Sequence, residues 1–104
     1  MATASNLAAV SIETYYGNSN CSAGGLTTAT LYEGYCTGIE SFPLKSISAV
    51  HSGGTCSDAT KSPVLYTYTG LWCESGFYAS YDVTDEETCF SLDATLLGLS
   101  IKCE

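Results

Sequence analysis

Six cysteines, one histidine, eleven carboxylates and nine Tyr or Trp side chains carry whatever chemistry or strong contacts this chain can offer. The cysteines stand at 21, 36, 56, 73, 89 and 103, with spacings of 15, 20, 17, 16 and 14. No C-x-x-C occurs, so neither a dithiol redox motif nor the usual zinc knuckle is present. An even number of widely spaced cysteines in a short chain reads as a disulfide framework: Cys21, Cys36, Cys56, Cys73, Cys89 and Cys103 in three bridges. His51 is the only histidine, which leaves zinc and haem short of ligands. A nucleophilic triad needs that imidazole between a serine and a carboxylate. The local sequence Val50-His51-Ser52-Gly53-Gly54 instead reads as a strand end entering a surface turn. Glycoside hydrolysis needs two carboxylates at set separation, and nothing marks such a pair. Phosphate chemistry lacks a cation, because the chain has no Arg. No catalytic residue, cofactor or metal is therefore expected. The acidic run Asp82, Asp85, Glu86, Glu87 and Asp93 reads as a solvated turn that keeps an acidic protein soluble.

The aromatic residues are the better candidates for contact. Tyr15, Tyr16, Tyr32, Tyr35, Tyr66, Tyr68, Tyr78, Tyr81 and Trp72 could build a sugar- or protein-binding face, since Tyr and Trp are the residues that interfaces prefer. Neighbouring residues on a strand point to opposite faces, so half the set should fill the interior, and Tyr16, Tyr68 and Tyr81 are expected there. Trp72, beside Cys73, is the candidate for an exposed anchor; the competing expectation is that it packs over the adjacent disulfide. Asn20-Cys21-Ser22 forms a glycosylation sequon, although a bridged Cys21 in a tight hairpin argues against its use.

The chain has 104 residues, enough for one small domain. Three Lys against eleven acids leave a net charge of −8. That sign argues against nucleic acid, whose affinity comes from neutralised phosphates, and against a cationic membrane-disrupting peptide. No apolar run approaches the roughly 20 residues of a membrane span. With 45% hydrophobic residues the chain should fold. The opening Met1-Ala2-Thr3-Ala4-Ser5-Asn6 lacks a charged and then apolar leader. Its expected history is a leader removed from a secreted, extracellular precursor and a Met1 added for expression.

The elements that must position these residues are strands. Residues 10–16 alternate, with Val10, Ile12, Thr14 and Tyr16 on one face; residues 64–68 alternate too. Residues 46–50 and 77–83 are shorter candidates, and 97–103 place Leu97, Leu99, Ile101 and Cys103 together. Residues 84–87 and 93–97 could each form a single helical turn. Short strands separated by Gly, Asn and Ser clusters predict a β-sandwich or barrel. The chain also repeats: Tyr16-x4-Cys21-x2-Gly24 matches Tyr68-x4-Cys73-x2-Gly76 at an offset of 52, and Cys36 matches Cys89 at 53. Lys45-Ser46-Ile47 matches Leu99-Ser100-Ile101 at 54. Two copies of one unit, a four-stranded Greek key at residues 10–56 and 64–103, would pack face to face as a single β domain over 10–104, with an N-terminal extension at 1–9. The join falls near residues 57–63. Six cysteines allow fifteen pairings; the repeat favours Cys21–Cys36 and Cys73–Cys89, leaving Cys56–Cys103.

Each half resembles a βγ-crystallin Greek key. Tyr16 or Tyr68 would be its aromatic residue, Gly24 or Gly76 the glycine of its folded hairpin, and Ser46 or Ser100 the serine whose hydroxyl ties the hairpin down. Cys21 and Cys73 stand where the family has a second aromatic, and each glycine sits one residue late. The resemblance implies a two-motif all-β sandwich, here stapled by three disulfides. Relatives of that kind include secreted calcium-binding proteins, yeast killer toxins and a bacterial metalloproteinase inhibitor. The family's calcium sites draw on acidic or amide side chains just before the serine of each motif. Ser41-Phe42 and Thr95-Leu96 occupy those places, so the sites are expected to be lost.

The expected function is non-enzymatic. It is that of a secreted fungal effector or killer-toxin-like monomer that recognises an unidentified host or competitor protein or glycan outside the cell. One alternative is a protease inhibitor using a disulfide-held loop at residues 60–64, with Pro63 as a contact. Another is a structural or stress protein that binds calcium weakly.

Overall fold

In the computed structural model, residues 7–104 are described. Alternation in the sequence becomes alternation in burial. Strand β1 (Ala9–Tyr15) turns Val10, Ile12 and Thr14 inward, and β5 (Pro63–Tyr68) does the same with Leu65 and Thr67. The other strands are β2 (Gly25–Tyr32), β3 (Cys36–Gly38), β4 (Pro43–Gly53), β6 (Phe77–Asp82), β7 (Thr88–Thr95) and β8 (Gly98–Cys103). They form two antiparallel four-stranded sheets packed together, in the orders β2-β1-β4-β7 and β3-β8-β5-β6. Val10, Ile12, Leu31, Leu44, Ile47 and Ala49 of the first sheet meet Leu65, Leu99 and Ile101 of the second in one core. Burying such aliphatic side chains contributes roughly 1.5–3 kcal/mol each.

The helical turn expected at residues 93–97 is corrected. Asp93 and Thr95 lie in β7, where pairing with Pro43 and Leu44 of β4 overrides a weak local preference. Among the described residues, the named helical element is a single 3-10 turn, Leu71–Cys73, between β5 and β6. His51 lies within β4 rather than in a turn. The N-terminal extension falls mostly outside the described residues; Leu7 bridges Thr55 and Ala9 opens β1.

Three disulfides join Cys21–Cys89, Cys36–Cys73 and Cys56–Cys103. They point to an oxidising compartment. Cys56–Cys103 is as expected, whereas Cys21–Cys36 and Cys73–Cys89 are overturned. The strand order explains why. Strand β3, from the first half of the chain, is the edge of the second sheet beside β8, and β7, from the second half, is the edge of the first sheet beside β4. Each hairpin cysteine therefore meets the third strand of the opposite half. The repeat is real in the pairing, since Cys21 corresponds to Cys73 and Cys89 to Cys36, but it runs between halves and not within them.

The two loops that carry these cysteines are built alike. In the first, Tyr16 and Gly17 donate backbone N–H bonds to Gly24 and Ala23; in the second, Thr69 and Gly70 donate to Gly76 and Ser75. Gly24 and Gly76 have φ of 74° and 70°, left-handed values that a glycine adopts without a Cβ penalty. These bonds align Tyr16 with Thr69, so the match of Tyr16 to Tyr68 is one residue out. Tyr16 is 46% exposed and not in the interior; its ring covers Gly24 and meets Phe42 edge-on at 5.2 Å. Tyr81 packs against the core, as expected; Tyr68 is buried too, but on the outer face of the second sheet and not in the core.

Ser46 fastens the first loop. Its buried hydroxyl accepts the Cys21 N–H at 3.1 Å and donates to the Asn18 carbonyl at 2.8 Å. Ser100 does not do this in the second. Ser46 sits opposite Tyr15, and the residue in the corresponding place opposite Tyr68 is Gly98. Sγ of Cys73 packs there, 3.1 Å from where a Gly98 Cβ would stand. Ser46→Ala strands a covered N–H and a carbonyl, so it should cost about 1–3 kcal/mol. Thermal melts that leave the variant as stable as the parent would show that the loop holds without this tie.

Candidate functional site

Pro63 and Trp72, the two contact candidates in the sequence, do not come together. Pro63 is buried as the first residue of β5, and Trp72 follows that strand's far end. A six-residue strand separates its ends by roughly 17 Å. Pro63 lines an open recess of about 400 Å³ with His51, Lys61, Ser62, Val83 and Asp85. His51 Nδ1 lies 3.3 Å from the Asp85 carboxylate, and Nε2 lies 3.0 Å from the Gly54 carbonyl oxygen. That carbonyl occupies the nitrogen a serine nucleophile would need as base. The loop expected at residues 60–64 is corrected: Pro63 and Val64 already belong to β5, and the turn lies before them, closed by the Lys61 N–H on the Asp58 carbonyl. The Asp58 carboxylate accepts the Thr60 hydroxyl at 2.6 Å and the Thr60 N–H at 3.0 Å, and these bonds hold its carboxyl below the usual value.

Trp72 is different. It is 73% exposed, in the 3-10 turn, with φ 66° and ψ 17°. Cys73 follows at φ 56°. A left-handed backbone costs an ordinary residue roughly 1–2 kcal/mol, and two in succession persist only where surroundings fix them. Here the Cys36–Cys73 disulfide, the Gly70–Ser75 and Thr69–Gly76 backbone bonds and the tight fit at Gly98 fix them. The turn thus holds the largest side chain of the protein away from it, beside an exposed Leu71. At that exposure Trp72 does not pack over the disulfide, the competing expectation.

The outer face of the second sheet continues this apolar surface. On β5, Tyr66 and Tyr68 alternate with inward Leu65 and Thr67. The Phe77 ring centroid lies 5.6 Å from that of Tyr66 and 6.0 Å from that of Tyr68. The Lys102 ammonium sits 4.5 Å above the Tyr66 ring. The Tyr66 phenol donates to the Glu104 carboxylate, which is the main reason its ionisation is raised above the ordinary 10.0; desolvation adds to it. A phenol raised in the fold adds stability below that ordinary value and loses it as pH rises through the folded one. Glu104→Gln should bring the Tyr66 ionisation down, read by ring-carbon NMR in an alkaline titration. An unmoved titration would show that Glu104 does not hold the phenol.

Between this face and the 3-10 turn lies a recess of about 200 Å³, lined by Tyr35, Cys36, Tyr68, Cys73, Ser100 and Lys102. The sequence pointed to Trp72 and to the tyrosines, but not to Leu71, Phe77 or Lys102, and to Ser100 only as the serine of a hairpin tie.

Among the described residues, no group of three or more His, Cys, Asp or Glu side chains is placed to hold a metal ion. Asp82, Asp85, Glu86, Glu87 and Asp93 are spread over β6, β7 and the loop between them. Compared with known proteins, the chain matches no family, no curated protein and no solved structure.

Proposed function

We propose that this chain is a secreted, non-enzymatic recognition protein of βγ-crystallin-like architecture. It acts as an effector or killer-toxin-like protein on an extracellular protein or glycan of another organism. The observation that carries the reading is Trp72, exposed at 73% and held left-handed beside the Cys36–Cys73 bridge. Backbone outliers that the surroundings over-determine gather at binding sites. A Trp presented on a rigid turn loses little entropy when it is captured.

Three features support the architecture. Each half contributes three strands to one sheet and its third strand to the other. Both folded loops close on a left-handed glycine. Ser46 ties the first loop as the resemblance implies. The acidic charge suits a defined receptor better than an anionic membrane surface.

The test is surface binding and growth inhibition on a panel of fungi and bacteria and on plant and animal extracellular fluid. It uses oxidised protein, reduced and alkylated protein, and Trp72→Ala. Retention on at least one surface or partner that is lost in both controls supports the reading. Binding that survives the loss of Trp72, or no binding to anything tested, overturns it.

A further inference from the structure

The recess beneath the second loop is lined by a serine whose covered hydroxyl has no partner in the protein. Ser100 lies on β8 between Leu99 and Ile101, which are fully buried in the core, so its side chain faces the outer side. It is 7% exposed, and its Oγ has no hydrogen-bond partner. Native proteins satisfy nearly all such groups. Ser48 holds the corresponding place in the first sheet: it pairs with Cys89 as Ser100 pairs with Cys36.

The surroundings narrow what could use it. The walls are the Tyr35 ring, which is 61% exposed, the Tyr68 ring, the Cys36–Cys73 bridge and Lys102. At about 200 Å³ the recess is smaller than the roughly 300–1,000 Å³ that encloses a drug-sized ligand, so it admits one ring. An anion would meet one cation, Lys102, already placed over Tyr66, in a chain of net charge −8. A metal ion would find no carboxylate in the lining. A purely apolar group would leave Ser100 unpaired. A ring with apolar C–H faces and hydroxyl edges satisfies both the aromatic walls and the serine.

We propose that this recess binds one ring of a neutral saccharide, stacked on Tyr35 and hydrogen-bonded to Ser100. The Ser100 oxygen is covered, so binding requires the hydroxyl to rotate about χ1 toward the ligand. This inference rests on the recognition reading above and narrows its target to a glycan.

The experiment is an amide NMR titration of the oxidised protein with neutral monosaccharide methyl glycosides and short neutral oligosaccharides. The expected result is saturable binding in the millimolar range for a single ring, with shifts centred on Tyr35, Ser100 and Lys102. Tyr35→Ala should abolish it, and Ser100→Ala should weaken it about tenfold, in line with a lost hydrogen bond. Ser100→Ala removes an unpartnered hydroxyl, so its melting temperature should not fall, which separates lost binding from lost fold. Ser48→Ala, in the other sheet, should leave saccharide affinity unchanged. Shifts elsewhere, equal affinity in Ser100→Ala, or no shift with any saccharide overturns the inference. If Trp72-dependent binding to a deglycosylated protein persists while saccharides fail to compete, the glycan falls and the recognition function stands. Loss of both would show the failure lies in the recognition reading itself.

Discussion

Replacing Cys21 and Cys89 together by Ala should lower the unfolding free energy by about 4 kcal/mol. The bridge spans a sequence separation of 68 residues, and the chain-entropy cost of closing such a loop amounts to roughly that figure at room temperature. Against a whole-domain stability of about 5–15 kcal/mol this is a large share, and the melting temperature should fall by on the order of 20 °C. Paired substitutions also read the connectivity. Cys21→Ala/Cys89→Ala should show no free thiol, because both partners of one bridge are gone. Cys21→Ala/Cys36→Ala should expose two, those of Cys89 and Cys73. The reverse pattern in a thiol titration would restore the pairing within each half. Non-reducing peptide mapping reads the same connectivity without mutation.

The second large effect is expected at Trp72, where function and stability should move in opposite directions. Trp72→Gly removes the exposed anchor. Loss of a buried aromatic hot spot typically costs at least about 2 kcal/mol of binding, roughly thirtyfold in affinity. The same substitution relieves the left-handed backbone at φ 66°. The relief outweighs the added flexibility of glycine in the unfolded chain by roughly 0.5–1 kcal/mol, so the variant should melt no lower than the parent, and up to several degrees higher. Trp72→Ala keeps the strain and loses the ring, so it should bind as poorly without the gain in stability. A Trp72→Gly protein that melts well below the parent would show that the indole packs structurally. Its exposure would then be a poor guide to its role.

Much of the fold was legible because strand alternation is a local signal. Val10, Ile12 and Thr14 announce β1, and Leu99 and Ile101 announce β8. Strands β2, β3 and β7 were not marked in the sequence. Strand β2 is a half-exposed edge of Thr and Ala with one fully buried leucine, Leu31, and β3 is three residues long. Two of the bridges were hidden for a topological reason. Sequence similarity between halves cannot reveal that β3 and β7 change sheets, because exchange leaves each half's pattern of residues intact. Trp72 could be singled out by type and place, beside Cys73 in a loop. Ser100 could not, because its distinction is the absence of a partner in space, and a missing contact has no letter in the sequence. Its apparent match to Ser46 pointed elsewhere: the alignment of Lys45-Ser46-Ile47 with Leu99-Ser100-Ile101 is two residues away from the register in which Gly98 takes the place of Ser46.

All three bridges run from residues before 57 to residues after 62: Cys21 to Cys89, Cys36 to Cys73, and Cys56 to Cys103. A protease that cuts the connecting segment at residues 57–62 would therefore make a two-chain protein and not two fragments. Its mass would rise only by the water of hydrolysis until a reductant separated the chains. The connector is in that sense dispensable once oxidation is complete, and folding must finish before cleavage and not after it. The corresponding cysteines of the repeat, 21 with 73 and 36 with 89, also mean that two copies of a single half would present the same two crossed bridges to each other.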